Sequence, residues 1–195
     1  MSKSFGPLYD ADIRKLLFQH EETLKPQHNT LVIEEFELCQ GGARIDIAAI
    51  NGDIHGYEIK SDLDTLARLP SQATAYNKVM DTVTLVLSKD HLIEAKKLIP
   101  SWWGIRIIHT VNNKVSIHSV RNNRLNPQVD AFSLVQLLWK DEIVELFRMN
   151  GIERGIISKP KYVLWELLVN SFHFTVLKNY VLTALKSRRN WRAVQ

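Results

Sequence analysis

Residues 43–60, ARIDIAAINGDIHGYEIK, are two alternating, β-branched segments joined by Asn-Gly-Asp, which is the turn chemistry of an antiparallel hairpin. A three-residue loop would pair Ile50 with Ile54 and set Asp46 opposite Glu58. A two-residue turn would shift the register by one residue and separate these two carboxylates. We favour the three-residue loop, which predicts that the charged side chains of the hairpin converge.

The hairpin then has one charged face and one apolar face. On the charged face, Lys60 lies opposite Arg44 and beside the two carboxylates. The apolar face is expected to pack against a helix and carries Ile45, Ile47, Ala49, Tyr57 and Ile59. The charged face has two interpretations, a solvated surface with a cross-strand salt bridge or half of a metal site.

The chemistry of the second interpretation follows from the residue types. Two carboxylates that meet across strands repel each other unless a cation lies between them, and hard oxygen ligands suit Mg²⁺. A lysine beside the ion would stabilise charge that develops on a phosphate. The same acid-x-Lys spacing recurs at Glu94-Ala95-Lys96, but in a helical pattern, where residues two apart diverge by about 200°. The strand context therefore makes the site at Lys60 the candidate for phosphodiester hydrolysis.

The wider sequence predicts an α/β protein. Helical and strand patterns follow one another in the order α-β-β-β-α-β-α-β-β, which indicates a mixed sheet. From about residue 125 the pattern is helical only. We therefore predict an α/β domain over residues 1–124 and a C-terminal helical extension over residues 125–195.

Composition excludes several classes of protein. With 195 residues, 45% of them hydrophobic, and five Trp, the chain can bury a core of its own. The single cysteine, Cys39, cannot form an internal disulfide, and the first residues lack the apolar run of a signal peptide. No segment approaches the roughly 18 apolar residues of a membrane span. These features predict a cytoplasmic protein that does not enter the membrane.

Other catalytic chemistries find no motif in the sequence. The seven histidines form no close metal-type pair. There is neither a glycine-rich phosphate loop nor a Gly-x-Ser-x-Gly motif. Zinc, nucleoside-triphosphate and serine-hydrolase chemistry are therefore disfavoured.

Positive charge is concentrated towards the C-terminus. The net charge is +4, the isoelectric point is near 9.2, and no acid follows Glu166. This pattern predicts contacts with the phosphates of a nucleic acid, or else a basic end that is merely solvated. The cations that we assign to nucleic-acid binding are Arg44, Lys186, Arg188, Arg189 and Arg192.

An αβββαβ order with Asp46 on the second strand and Glu58-Ile59-Lys60 on the third resembles the PD-(D/E)XK nuclease superfamily. The resemblance covers roughly residues 10–110 and implies a restriction-endonuclease-like αβββαβ core with a mixed sheet. The sequence departs from the motif at its first letter, because Ile45 stands where the name has proline, but that side chain is not a ligand. A wider string, residues 33–91, resembles a bacterial family of such proteins.

The resemblance implies a role for each residue of the site. Asp46, Glu58 and the main-chain carbonyl of Ile59 would bind Mg²⁺ or Mn²⁺, and Lys60 would be the base-positioning cation of catalysis. A further glutamate completes the acid cluster in this superfamily, and we favour Glu35. The other candidates for that position are Glu21, Glu22, Glu34 and Glu37.

A helix motif adds to the resemblance. Gln72 and Tyr76 stand at the Q-x-x-x-Y spacing of RecB-like nucleases, one turn apart on the same helix face. The resemblance implies that both side chains touch the site or the substrate backbone. A helical tyrosine packed in the core beside an incidental glutamine is the alternative.

The function predicted from these patterns is hydrolysis of phosphodiester bonds by a metal-dependent nuclease of bacterial or phage type, for which endonuclease and exonuclease action both stay open. The expected partner is nucleic acid, and DNA is favoured over RNA on family grounds alone. The alternative is a catalytically inactive, nuclease-like module that binds nucleic acid or another partner. A helical tail that forms a homodimer is compatible with either function.

Overall fold

A six-stranded mixed sheet carries the fold of the computed structural model, which describes residues 9–25, 29–111 and 114–188. In chain order across the sheet, the strands are β1 (Leu31–Leu38), β2 (Ala43–Ile50), β3 (Ile54–Lys60), β4 (Thr82–Ser88), β5 (Gly104–Val111) and β6 (Lys114–Arg121). β3, β4 and β5 are parallel, and the other neighbouring pairs are antiparallel. The prediction of an α/β fold with a mixed sheet is confirmed.

Helices cover the two faces of this sheet. Within the described residues they are α1 (Asp10–His20), α2 (Leu69–Val79), α3 (Leu92–Leu98), α4 (Ala131–Val135), α5 (Lys140–Met149), α6 (Lys161–Ser171) and α7 (Phe174–Ser187). Two short 3₁₀ helices span Glu22–Leu24 and Lys89–His91. None of the helices in these ranges is long and apolar enough to cross a membrane.

The hairpin of β2 and β3 has the predicted three-residue loop. Ile50 pairs with Ile54, as that loop length requires. Counting outward from the loop, the last paired residues are Ile47 and Tyr57, so the ladder stops one residue short of Asp46. At that point a side chain takes over, because the Asp46 carboxylate accepts a hydrogen bond from the Ile59 N–H. The register is therefore as predicted, and Asp46 is turned towards β3.

The regular alternation of β2 side chains between the two faces of the sheet breaks at Asp46. Ile47 packs in the apolar cluster beside α1, whereas Ile45 packs in the cluster on the opposite face. Glu35, which stands level with Asp46 on β1, has a φ of 55°, in the left-handed region. The prediction that Ile45 and Ile47 share a face is wrong, because regular strand alternation breaks at this level of the sheet.

Both faces of the sheet are covered by apolar side chains. α1 contributes Ile13 and Leu17 to the cluster on one face. α2 and the C-terminal helices pack on the other face, to which Glu58 and Lys60 belong with exposures of 1% and 4%. The predicted division into a dry side and a charged side is wrong, since helices far along the chain cover the side with the charges.

The C-terminal helices share the core of the sheet. One continuous cluster joins Leu85 of β4 to Leu134 of α4, Leu168 of α6 and Leu185 of α7. The change to helix after residue 124 is therefore a change of secondary structure within one packed core. The boundary between residues 124 and 125 stays a prediction as a division into domains.

Candidate functional site

Glu58 is the centre of a buried polar network on the α2 side of the sheet. Its Oε1 accepts hydrogen bonds from Lys60 Nζ at 2.6 Å and from Gln72 Nε2 at 2.7 Å. Its Oε2 lies 2.7 Å from the hydroxyl of Tyr76. The structure thus brings together four of the predicted site residues, and it satisfies both oxygens of Glu58 from within the protein.

α2 places Gln72 and Tyr76 over Glu58 because the two residues are one helical turn apart. The helix begins at Leu69 with proline in its first turn, where the missing N–H costs nothing. Burial, and then the charge of Glu58, raise the pKa of Tyr76, so its hydroxyl keeps its proton. That hydroxyl is also 2.7 Å from the carbonyl oxygen of Arg44, and it can donate to one of these acceptors at a time.

Asp46 has a different environment from Glu58. Its Oδ2 accepts the Ile59 N–H at 2.6 Å, and its side chain is 21% exposed. Burial, followed by repulsion from the charge of Glu58, raises the pKa of Asp46 to about 7. A carboxyl with that pKa changes its charge near neutral pH.

Arg14 of α1 occupies the middle of the remaining acids. Its guanidinium contacts Asp10 and Glu35, each at 2.5 Å, and its Nη1 donates to the carbonyl oxygen of Asp46 at 2.9 Å. Longer contacts reach Glu34 Oε2 at 3.3 Å and Asp46 Oδ1 at 3.4 Å. Arg14 is only 15% exposed, so it is the resident counter-charge of this group of carboxylates.

Sequence reasoning missed Arg14, although it favoured Glu35 as the further acid. The only local signal was the Asp10-Arg14 spacing of four residues, which is typical of any exposed helical ion pair. Glu35 and Asp46 both contact Arg14. Arg44 also contacts Glu35, at 2.9 Å. Of the alternative acids, Glu21 contacts Arg106 and Glu22 contacts Lys25, whereas Glu34 contacts Arg14 as Glu35 does.

The donor set fits a divalent ion poorly. Glu58 already accepts from Lys60, Gln72 and Tyr76, and Asp46 faces the guanidinium of Arg14. Within the described ranges, no group of three or more His, Cys, Asp or Glu is arranged to hold a metal. One buried acceptor in this region, Gln72 Oε1, has no partner among the described residues, but a single amide oxygen is too little for Mg²⁺. The Mg²⁺ or Mn²⁺ site at Asp46, Glu58 and the Ile59 carbonyl stays a prediction.

A second polar group lies at the other end of β3. His55 lies within hydrogen-bonding distance of Thr84, and its ring contacts that of Tyr57 in a tilted arrangement with centroids 4.4 Å apart. Burial and the charge of Arg106 lower the pKa of His55 to about 4, so the ring is neutral at physiological pH. A cavity of about 310 Å³ opens beside it. No functional role for this histidine follows from the sequence, because a lone histidine in a strand offers no signal for one.

The predicted nucleic-acid-binding cations differ in their exposure in the structure. Arg188 is 5% exposed, donates to Glu142 and to the Leu137 carbonyl, and stacks over the ring of Trp139. This placement argues against a phosphate contact by Arg188, because the guanidinium is used inside the fold. Lys186 is exposed on α7. Arg189 and Arg192 lie outside the described residues.

Comparison with known proteins identifies a family that matches most of the chain. A family model described as bacteriophage P4 protein cII matches residues 8–193. Protein cII of Enterobacteria phage P4 is 26% identical over 157 residues, which are 80% of this chain and 59% of that protein. The chain therefore spans less than two thirds of the length of this relative. No solved structure matches the chain.

These findings correct the functional prediction. The family shown is that of bacteriophage P4 protein cII and no nuclease family, so the PD-(D/E)XK assignment is wrong. The predictions of a hydrolase, a nuclease and a metal-dependent enzyme are wrong for the same reason. The expected phage origin is consistent with the family. Acid-x-Lys within one strand is a short pattern, and here Glu58 and Lys60 of β3 bond to one another within the fold.

Proposed function

The chain belongs to the bacteriophage P4 protein cII family, and on that basis we propose that it is a non-catalytic nucleic-acid-binding module. The alternative that the sequence left open thus becomes the main proposal. The matched relative is longer than this chain, and its name states no partner. The proposal therefore depends on the site and on the charge of this chain.

We propose in addition that the sheet has a restriction-endonuclease-like arrangement. The order α1, β1, β2, β3, α2, β4 supports it, with three antiparallel strands followed by a parallel crossover through α2. In this view the protein keeps a framework in which Glu58 and Lys60 stabilise the junction of β3 and α2. The framework serves binding and does no chemistry.

The observation that carries the proposal is that both carboxylate oxygens of Glu58 accept hydrogen bonds from groups inside the fold. Three donors from the protein surround its two oxygens, and the side chain is 2% exposed. Buried charges persist in proteins when they are paired and hydrogen-bonded in this way. Arg14 supplies the positive charge that the other carboxylates need. These groups therefore have structural partners already.

Net charge supports nucleic acid as the partner. The chain carries 25 Lys and Arg against 21 Asp and Glu, and its isoelectric point is near 9.2. An excess of cations favours association with a polyanion and makes the affinity fall with salt. DNA is the first nucleic acid to test, with RNA beside it.

The test is binding and cleavage in one experiment. Labelled single- and double-stranded DNA and RNA are titrated with the protein, with and without Mg²⁺ and Mn²⁺, and the anisotropy and the length of the oligonucleotide are followed. We expect binding that weakens with salt, and intact oligonucleotides under every condition. Absence of binding to all four nucleic acids at low salt would refute the proposed function.

A variant separates a structural Glu58 from a functional one. Glu58→Gln removes the charge partner of Lys60, so it should lower the melting temperature, because a buried ammonium loses its carboxylate. Below its melting temperature the variant should bind nucleic acid as the native protein does. A folded Glu58→Gln protein with unchanged stability and lost binding would contradict the structural role.

A further inference from the structure

The segment between α5 and α6 is basic and exposed. With the last two residues of α5 and the first two of α6 it spans residues 148–162, which we name the α5–α6 loop and which contain four cations and one acid, Glu153. Ile156 is the apolar residue that anchors this loop in the core, at 5% exposure. The loop therefore has a fixed point and a net positive surface.

Large apolar side chains project from the same loop. Tyr162 is 61% exposed, Ile157 is 58% exposed and Met149 is 68% exposed. Arg154, Lys159 and Lys161 lie between them along the chain. Exposed cations are ordinary on a solvated loop, but exposed large apolar side chains are unfavourable in water. The two together are typical of a binding surface.

The cations of the loop are available to a ligand. Neither Arg154 nor Lys159 forms an ion pair within the part of the chain that the structure describes. Lys161 lies over the ring of Trp165, 5.3 Å from its centroid, which leaves the ammonium without a carboxylate partner in the described ranges. α6 begins at Lys161 with no acid in its first turn, so no carboxylate there competes for its N–H groups. Arg154, Lys159 and Lys161 thus keep their charge free of ion pairs within the described residues.

We propose that the α5–α6 loop is the docking surface for single-stranded nucleic acid. Arg154, Lys159 and Lys161 contact phosphates, and Tyr162 stacks on a base with Ile157 beside it. Proteins bind single strands with this combination of cations and an exposed aromatic ring, because every unpaired base offers a flat face. A duplex hides those faces, so the exposed apolar groups favour a single strand. The inference rests on the proposed function and names its binding surface.

The test separates charge from stacking. Oligothymidylate is titrated over a range of salt with the native protein, with the triple variant Arg154→Gln, Lys159→Gln, Lys161→Gln, and with Tyr162→Ala. The triple variant should flatten the slope of log K against log salt by up to about 2.1, since each single-strand phosphate contact contributes roughly 0.7. Tyr162→Ala should weaken binding roughly 5- to 150-fold with little change of slope, and Tyr162→Phe should restore it.

A matched control changes the same number of charges elsewhere. Lys89 of the second 3₁₀ helix and Lys96 and Lys97 of α3 are exposed. Changing all three to Gln removes the same charge as the triple variant of the α5–α6 loop. This control should keep the native slope and affinity. Equal losses in both triple variants would overturn the inference, because overall charge and not the α5–α6 loop would then govern binding.

The remaining outcomes distinguish this inference from the proposed function. If the native protein binds oligothymidylate and the loop variants bind equally well, the surface is wrong and the proposed function stands. If the native protein binds no oligonucleotide, both are wrong. Equally tight binding of duplex DNA would refute the single-strand preference. Binding only to vesicles of phosphatidylcholine and phosphatidylserine would replace the nucleic acid by an anionic lipid surface and overturn both.

Discussion

Asp46 and Glu58 are neighbouring carboxylates whose surroundings differ. Glu58 has a lysine, an amide and a phenol as donors, whereas Asp46 has one main-chain donor at 2.6 Å and a guanidinium at the longer distance of 3.4 Å. Each buried charge is stable to the extent that donors surround it. Asp46 is therefore the acid whose ionisation opposes folding.

The raised pKa of Asp46 leads to a prediction about pH. In the folded protein this carboxyl keeps its proton up to about pH 7, whereas an unfolded aspartate ionises near 3.8. Its stabilising contribution is present below about pH 4 and is lost as the pH rises to about 7. The free energy of unfolding of the native protein relative to Asp46→Asn should therefore fall by up to about 4 kcal/mol over this range. Urea unfolding at several pH values measures it.

Asp64 supplies the control for this prediction. Although burial acts in the opposite direction, hydrogen bonds from Ser61 lower the pKa of Asp64. Its stabilising contribution is lost only as the pH falls below the unfolded value. Asp64→Asn should therefore show a constant difference between about pH 4 and pH 7. A constant difference for Asp46→Asn as well would show that its pKa is not raised.

At the scale of elements, α1 is attached to the sheet by Arg14 as well as by apolar packing. The guanidinium joins Asp10 of its own helix to Glu34 and Glu35 of β1 and to Asp46 of β2. Those carboxylates repel one another without it. Arg14 thus links three elements through one side chain.

Removal of Arg14 should destabilise the protein. Arg14→Met keeps the apolar stem and removes the charge, and we expect a loss of about 1 to 3 kcal/mol, discounted because Asp10, Glu34 and Glu35 are about half exposed. Added Mn²⁺ should restore part of the stability of this variant, because a cation again separates the acids. Calorimetric melting with and without the ion measures both effects.

Lys15 is the matched control on the same helix. It is exposed, and Lys15→Met removes the same charge one residue away. We expect a change within about 0.5 kcal/mol and no response to Mn²⁺. Equal losses in the two variants would show that helix charge, and not the cluster around Arg14, sets the stability of α1.

At the scale of the whole molecule, Lys178 joins the C-terminal helices to the sheet. Its Nζ contacts Asp53 of the hairpin loop at 2.9 Å and Asp81, before β4, at 2.7 Å. Asp81 is 8% exposed and also accepts the N–H of Ile54. One ammonium thus connects α7 with the start of two strands.

Loss of this cation should loosen the docking of α7. Lys178→Met leaves Asp81 buried without its counter-charge, and we expect a loss of roughly 2 to 4 kcal/mol together with faster amide exchange in α7. Lys186→Met, on the exposed side of the same helix, should change neither quantity. Unchanged exchange in the Lys178 variant would mean that apolar packing alone holds the C-terminal helices.

Geometry and family membership gave different answers about function. The predicted residues Glu58, Lys60, Gln72 and Tyr76 do meet, so the spacing was informative about position. Their common appearance in nucleases did not carry over to function, because the chain belongs to a different family. Residues that meet in space can stabilise a strand-helix junction as well as they can perform catalysis.

Local patterns in the sequence were sufficient for the α/β class, the hairpin register and the common helix face of Gln72 and Tyr76. Each depends on turn chemistry or on residue spacing within one element or between neighbouring strands. The entry of Arg14 among the acids, the burial of Lys60 and the internal position of Arg188 could not be read in this way. They depend on which distant helices cover which face, and on a break in alternation at Glu35 that changes the direction of its neighbours. Pairing within an element is local, whereas the environment of a charge is set by whatever packs against it.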